Sequence, residues 1–252
     1  LYVRWRGDEY KMSYDLNDTT GSTRAAIDLV GKATVSYYNE LIAQDYPLPK
    51  PTRDGYTFNG WYATLSDATE IQVVERSTYY NWSEDKILHA KWTANSYYVT
   101  YNVDSTKYPK NNSSSKNVSR TTMTYDASST LTKNVYGVTG QNFVYWIATN
   151  SQGLAATYSD AATRVFNLAT KSGVTVPLYA EFTPQVGYIS FNVNDSVGSN
   201  RATISITSKV ATYGNAFGKL PKPTRKGYTF AGWYVSTKRA NLVPADESYR
   251  LY

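Results

Sequence analysis

Leu48-Pro-Lys-Pro-Thr-Arg-Asp-Gly-Tyr-Thr-Phe-Asn-Gly-Trp-Tyr62 returns as Leu220-Pro-Lys-Pro-Thr-Arg-Lys-Gly-Tyr-Thr-Phe-Ala-Gly-Trp-Tyr234, with thirteen of fifteen positions identical. Chance does not produce such a match, so the chain is built from repeats, and missing them would misread the whole fold. A degenerate copy, Gly140-Gln-Asn-Phe-Val-Tyr-Trp-Ile147, lies between the two. Gly55, Phe58 and Trp61 align with Gly140, Phe143 and Trp146, then with Gly227, Phe230 and Trp233, at steps of 85 and 87 residues.

Three further elements recur around this stretch. Tyr10-Lys-Met-Ser-Tyr-Asp-Leu-Asn17 matches Tyr98-Val-Thr-Tyr-Asn-Val103 and Tyr188-Ile-Ser-Phe-Asn-Val193, which puts Tyr14, Tyr101 and Phe191 in register. A short strand ending in Tyr appears as Val35-Ser-Tyr-Tyr38, Met123-Thr-Tyr125 and Val210-Ala-Thr-Tyr213. A closing strand appears as Leu88-His-Ala-Lys-Trp92 and Leu178-Tyr-Ala-Glu-Phe182, and at the start as Leu1-Tyr-Val-Arg-Trp5. Alternating β-branched and aromatic residues mark all of these as strands.

The phasing predicts residues 1–6 as the closing strand of a preceding repeat, then repeats at 7–93, 94–183 and 184–252. The second repeat is degenerate, and Leu251-Tyr252 begins a closing strand in the third. With no initiator Met and no signal peptide, the chain reads as a processed product or a window on a longer array. In a second reading, Leu1, Tyr2, Val3, Arg4 and Trp5 of one molecule complete the third repeat of the next by β-augmentation. Such a heterologous contact does not close and gives a fibre.

The residues resemble the Listeria–Bacteroides repeat family, also called the internalin B-repeat family. Its hallmark is a strand ending in a Tyr-Gly-like turn, then Leu-Pro-x-Pro-Thr-Arg-x-Gly-Tyr-x-Phe-x-Gly-Trp-Tyr, then Leu-Tyr-Ala-Lys-Trp. Repeats one and three carry it almost completely; repeat two keeps only Gly140, Phe143 and Trp146. The resemblance implies an α+β, strand-dominated chain of small β-grasp-like (ubiquitin-like) modules arranged linearly. It also implies tandem occurrence on extracellular proteins of bacteria and archaea, and no enzyme.

Within the repeat, prolines 49, 51, 221 and 223 forbid helix or central strand, so the chain runs extended there. Helical turns are expected at Ser22 to Val30 and Asn39 to Gln44. Strict alternation places Phe58 and Trp61 on opposite faces of a strand. A bulge at Gly60 brings both to one core, and that bulge is predicted. The expected repeat core is Tyr14, Phe58, Trp61, Trp92, Tyr101, Phe143, Trp146, Phe182, Phe191, Phe230 and Trp233.

Composition removes whole classes of function. There is no Cys and one His in 252 residues, so disulfides, thiol nucleophiles and His- or Cys-rich metal sites are excluded. The net charge of +6 and a pI near 9.2 are too dilute to argue nucleic acid. No run of 18 apolar residues is present, so no helix spans a membrane. Asp15, Asp18, Glu84 and Asp85 form no catalytic pair or calcium loop. His89 stands where Tyr2 and Tyr179 stand in the other closing strands and reads as a Tyr substitute. No cofactor, metal or catalytic residue is expected.

What remains is contact chemistry. Trp61, Trp146 and Trp233 read as core, with sugar stacking as the alternative. Adjacent Tyr pairs (Tyr37-Tyr38, Tyr79-Tyr80, Tyr97-Tyr98) turn one ring of each outward, which suits protein contact or simply a solvent-facing strand. Arg6-Gly7-Asp8 matches a tripeptide that integrins read, but reads first as an inter-repeat link. Asn17, Asn81, Asn111, Asn112, Asn117 and Asn194 open glycosylation sequons, and Asn111 to Ser119 reads as a long exposed loop. The expected function is a non-enzymatic extracellular stalk, adhesin or filament segment. Its expected partners are copies of itself, further repeats of the same chain, or a host-cell or cell-wall surface. The alternative is a glycan- or cell-wall-binding module using exposed aromatics.

Overall fold

The computed structural model describes residues 1–28, 34–36, 39–40, 48–64, 68–73, 79–80, 83–149, 155–235, 244–245, 248 and 250. In chain order its strands are β1 (Glu9–Asp15), β2 (Thr34–Ser36), β3 (Asn39–Glu40), β4 (Tyr56–Thr64), β5 (Glu70–Val73), β6 (Tyr79–Tyr80), β7 (Lys86–Ala94) and β8 (Ser96–Asn102). Then follow β9 (Thr121–Thr124), β10 (Gln141–Thr149), β11 (Ala155–Tyr158), β12 (Thr175–Pro184), β13 (Val186–Ser190), β14 (Ser208–Thr212), β15 (Trp233–Tyr234) and β16 (Pro244–Ala245). The only helix among the described residues is a single 3₁₀ turn at Ser113–Ser115. The helical turn expected from Ser22 is therefore absent over its described part, residues 22–28. Asp18 accounts for this: its carboxylate accepts the Ala25 N–H at 2.5 Å, and Ala26 pairs with Thr52, so the segment's polar groups are taken by non-helical partners. Asn39–Glu40, the start of the second expected helical turn, pairs instead as a strand with Tyr79–Tyr80, and residues 41–44 lie outside the described residues.

The first repeat forms a five-stranded sheet in the order β2-β1-β7-β4-β5. The closing strand β7 is central: it runs parallel to β1 and antiparallel to β4. A central strand is buried on alternate residues, and β7 shows it, with Leu88 and Ala90 fully buried. Around them pack Met12, Trp61, Ala63 and Val73. The predicted bulge lies between Phe58 and Gly60, where the β4–β7 register shifts. Gly60 takes φ +124°, open to glycine alone, and the Phe58 and Trp61 rings meet at 5.4 Å. In the second repeat Tyr145 stands in the place of Gly60, yet Phe143 and Trp146 are 5.3 Å apart. A second sheet has the order β11-β10-β12-β8-β9, so its fifth strand is again flanked by its first and third. In the third repeat β13 pairs with β14 and β15 with β16.

The chain divides into two compact units, residues 1–101, 118–133 and 147–178 in one, and 102–117, 134–146 and 179–252 in the other. In the first, Tyr97, Val99, Tyr101, Met123, Leu131 and Leu168 are buried, and the Leu168 N–H donates to the Tyr97 hydroxyl at 3.0 Å. In the second, Phe143 meets Phe182 at 5.8 Å, and Tyr108 meets Phe182 at 5.1 Å.

The Pro-Thr-Arg motif has a structural task. Arg53, though charged, is only 6% exposed. It donates to the carbonyls of Thr20 and Thr23 and lies 3.8 Å from the Tyr56 ring centre. Arg225 does the same with Val197, Asn200 and Tyr228. The Trp61 indole donates to the Pro49 carbonyl at 2.7 Å and the Trp233 indole to Pro221 at 2.8 Å, which ties the extended proline run to the sheet.

Candidate functional site: the joints between repeats

The joint between the first and second repeats is built around Asn95, the single residue between β7 and β8. Its N–H donates to the Gly55 carbonyl at 2.8 Å, and its carbonyl accepts the Tyr125 N–H at 2.9 Å. Its side-chain amide donates to the Thr170 carbonyl at 2.7 Å and accepts from the Thr57 hydroxyl at 2.5 Å. A buried amide needs all of this satisfied, and Asn95 is 8% exposed. The Tyr125 ring lies directly on Gly55, so that any Cβ at Gly55 would fall inside the ring's contact surface. Gly55 also has φ +82°, so two separate constraints demand glycine there.

The joint between the second and third repeats repeats these contacts. Gln185, the single residue between β12 and β13, donates its N–H to Gly140 at 2.8 Å and accepts from Tyr213 at 2.9 Å. Its amide donates to the Asn142 side chain at 3.3 Å, the position of Thr57. The Tyr213 ring covers Gly140, whose φ is +69°.

The first joint adds a polar cluster around Asp126, the residue after Tyr125. Its carboxylate accepts from the Ser22 N–H at 2.8 Å, the Tyr56 hydroxyl at 2.7 Å and the Asn167 amide at 2.8 Å. Burial pushes its pKa up, but the hydrogen bonds from Ser22, Tyr56 and Asn167 outweigh that and hold it well below the usual carboxylate range. Burial and the bond to Asp126 push the Tyr56 hydroxyl up. At the second joint Gly214 stands where Asp126 does, with the same left-handed backbone.

The residues singled out in the sequence fall as follows. Trp61 and Trp146 are 2% and 1% exposed, and Trp233 is half-buried with its ring 4.9 Å from Phe191. Tyr14 meets Trp61 at 4.8 Å, Trp92 meets Phe58 at 5.4 Å, and Phe230 meets Trp233 at 5.5 Å. Tyr101, Phe182 and Phe191 are buried. Leu1, Tyr2, Val3, Arg4 and Trp5 are all exposed, Leu1 and Tyr2 fully so. Arg6, Gly7 and Asp8 are exposed, and Arg6 pairs with Glu9 at 3.1 Å. Tyr97 is buried, while Tyr98 carries the Arg120 guanidinium 3.6 Å above its ring. Tyr37 and Tyr38 lie outside the described residues, as do the side chains of Tyr79 and Tyr80.

Among the sequons, Asn117 is exposed, and Asn17 and Asn194 are exposed with positive φ. Asn111 and Asn112 hold their own loop, through Tyr108 and Gly137. Asn81 lies outside the described residues. His89 lies 3.0 Å from the Asp15 carboxylate, whose pKa is lowered by the Asn17 N–H and then by His89. Among the described residues no three His, Cys, Asp or Glu gather as a metal site, and no helix is long and apolar enough to cross a membrane.

These features define a strand-rich tandem-repeat protein whose neighbouring repeats are joined by like contacts. The chain belongs to the Listeria-Bacteroides repeat family, whose profile matches residues 10–91 and 188–249. The matches cover the first and third repeats and leave the second unmatched. A protein of Evansella cellulosilytica provisionally named a membrane protein is 24% identical over 243 residues, covering 88% of this chain and 34% of its own length. A second Evansella cellulosilytica protein, provisionally named a Gly-rich membrane protein, is 27% identical over 238 residues, covering 93% of this chain and 22% of its own length. Internalin H of Listeria monocytogenes is 36% identical over 87 residues, covering 34% of this chain and 15% of its own length. The chain thus spans about a third or less of these relatives. No solved structure matches it.

Proposed function

We propose that the chain is a non-enzymatic segment of an extracellular, cell-surface repeat protein, serving as a stalk, adhesin or filament element. The observation that carries this reading is the pair of joints: Asn95 and Gln185 make the same two backbone bonds at the same repeat position. A protein that keeps the joint while its second repeat drifts in sequence is one whose series of modules matters. The names of the relatives, membrane proteins and an internalin, support a surface location. The strand order second–first–fifth–third–fourth of the first two repeats supports reading the modules as β-grasp-like.

Linear joining between molecules is part of this proposal. In the first repeat Trp92 packs on Phe58 and donates its indole N–H to the Leu16 carbonyl at 2.8 Å. The corresponding residues of the third repeat, Val193 and Phe230, line a cavity of about 180 Å³. The exposed segment Leu1–Trp5, which is not a strand in this structure and whose Trp5 aligns with Trp92, is the one that fits it. An exposed apolar segment of this kind can add to an open sheet edge as a strand.

Electron microscopy tests both levels. Material from the cell surface is expected to show linear assemblies containing this chain; isolated globular particles would contradict the array. The chain alone is expected to polymerise, and removal of residues 1–6 to shorten the polymers. Unchanged polymer length would end the strand-exchange part and leave the array standing. A sugar-binding platform is not favoured, because the indoles of Trp61 and Trp146 are inside the modules.

A further inference from the structure

The two joints share their backbone bonds but not their side chains. At the first, Asp126 of the second repeat sits in a clasp made largely by the first repeat. The Ser22 N–H and the Tyr56 hydroxyl donate to its carboxylate at 2.8 Å and 2.7 Å. Asn167 holds it from both sides: its side-chain N–H donates to the carboxylate at 2.8 Å, and its side-chain carbonyl accepts the Asp126 N–H at 2.7 Å. The Ser22 hydroxyl donates to the Tyr125 hydroxyl at 3.3 Å, and the Tyr56 and Tyr125 rings meet edge to face at 5.7 Å. The loop that brings Ser22 there needs Gly21. Its φ is +86°, and a Cβ on it would strike the Tyr56 hydroxyl, the Arg53 guanidinium and the Asp126 carboxylate.

The second joint lacks the central group of this clasp. Gly214 follows Tyr213 where Asp126 follows Tyr125, Gln141 stands for Tyr56, and Val138 stands for Arg53. Val138 is buried and pairs with Asn111, which commits it to its own repeat. The loop from Val103 to Arg120 holds no glycine, so it offers no counterpart of Gly21. The side-chain bond that the second joint does make, Gln185 to Asn142 at 3.3 Å, lies between two exposed neutral amides. Its counterpart at the first joint, Asn95, is buried. A neutral bond in water contributes less than an ionised carboxylate that accepts from several donors.

We infer that Asp126 locks the second repeat to the first, and that the chain opens first at the joint between the second and third repeats. The second joint is then the yielding point, released while the modules on either side of it stay folded. This rests on the tandem-array reading and deepens it: the joints are of unequal strength, and the residue after the joint tyrosine sets the difference.

Amide hydrogen exchange, read by NMR on the full chain, tests it. Opening a joint frees the N–H groups that bridge it: those of Asn95 and Tyr125 at the first, and of Gln185 and Tyr213 at the second. After correction for intrinsic rates, Gln185 and Tyr213 are expected to exchange at least about fivefold faster than Asn95 and Tyr125. Asp126→Gly is expected to speed Asn95 and Tyr125 by a similar factor and to leave Gln185 and Tyr213 unchanged. The substitution spares the backbone, since Asp126 has φ +58°, a conformation that glycine adopts freely. Tyr56→Phe is expected to act in the same direction by less, and to add nothing once Asp126 is glycine. Losses that simply add would show two side chains acting apart and would overturn the lock. The amides of Leu88 and Leu178, on the central strands, report global unfolding. If Asp126→Gly moves them too, Asp126→Asn, which keeps the size of the side chain, takes its place. Equal exchange at the two joints, slower exchange at the second, or a first joint indifferent to both Asp126 variants overturns the inference. None of these outcomes touches the array itself. Globular particles in place of linear assemblies at the cell surface would end the array reading and leave the exchange ratio standing.

Discussion

At the residue scale, the glycines of the Gly-Tyr-Thr turn separate backbone need from packing need. Gly55, Gly140 and Gly227 share a left-handed backbone, but among the described residues a ring covers the first two and none lies on Gly227. Gly227→Ala should therefore cost only the left-handed strain, about 1–2 kcal/mol. Gly55→Ala and Gly140→Ala should add an overpacking cost of about 1–3 kcal/mol. Thermal or denaturant unfolding of the three variants checks the order; equal losses would mean that the rings do not rest on the glycines. The Asp126 carboxylate gives a pH signature. Its folded pKa is depressed, so its contribution is fully present above the unfolded value of about 3.9 and is lost as pH falls below it. The carboxylate is exposed, so screening keeps the contribution to about 1 kcal/mol. The stability gap between the wild type and Asp126→Asn should stay constant from pH 8 to 5 and close as the pH drops below about 4. A gap that widens in acid would contradict this assignment.

At the element scale, β7 is the strand on which the first repeat depends, because it is central and alternates between core and solvent. Leu88→Ala should cost about 2–5 kcal/mol, as a buried leucine does, while Ile87→Ala, 53% exposed, should stay within about 0.5 kcal/mol. Urea unfolding of both variants is the check. Much of this level was legible in the sequence. The recurrent Leu-x-Ala-x-Trp marked the closing strand, and the clash between period-two alternation and two core aromatics located the bulge at Gly60. The helical turn expected from Ser22 was not there over residues 22–28, because the nearby Asp18 carboxylate takes the Ala25 N–H and Thr52, far along the chain, pairs with Ala26; the second partner is one that local pattern does not reveal. The role of Arg53 was missed for a similar reason: its carbonyl partners lie some thirty residues away, and an arginine in a polar motif reads as surface.

At the scale of the whole chain, the joints are the assembling device, and they were half visible beforehand. The glycine of the turn and the tyrosine ending the second strand both recurred in every repeat, which is the signal that could have found them. What the sequence hid is that the tyrosine of one repeat serves the glycine of the one before, a contact that crosses the repeat boundary. In tandem proteins stability is the sum of module and neighbour terms. Tyr125→Ala with Asn95→Ala should therefore uncouple the first repeat from the second, turning one urea transition of that pair into two. A single unchanged transition would show that the joint carries no coupling.

The central claim, that successive repeats lock by a tyrosine ring on a glycine, can be seen directly in an NMR spectrum. NOEs between the Tyr125 ring and the Gly55 Hα protons, and between the Tyr213 ring and those of Gly140, are predicted, with both glycines' Hα shifted by ring current. Tyr125→Leu should abolish the shift at Gly55 and leave that at Gly140. Ordinary glycine shifts and no inter-repeat NOE at either joint would contradict the account.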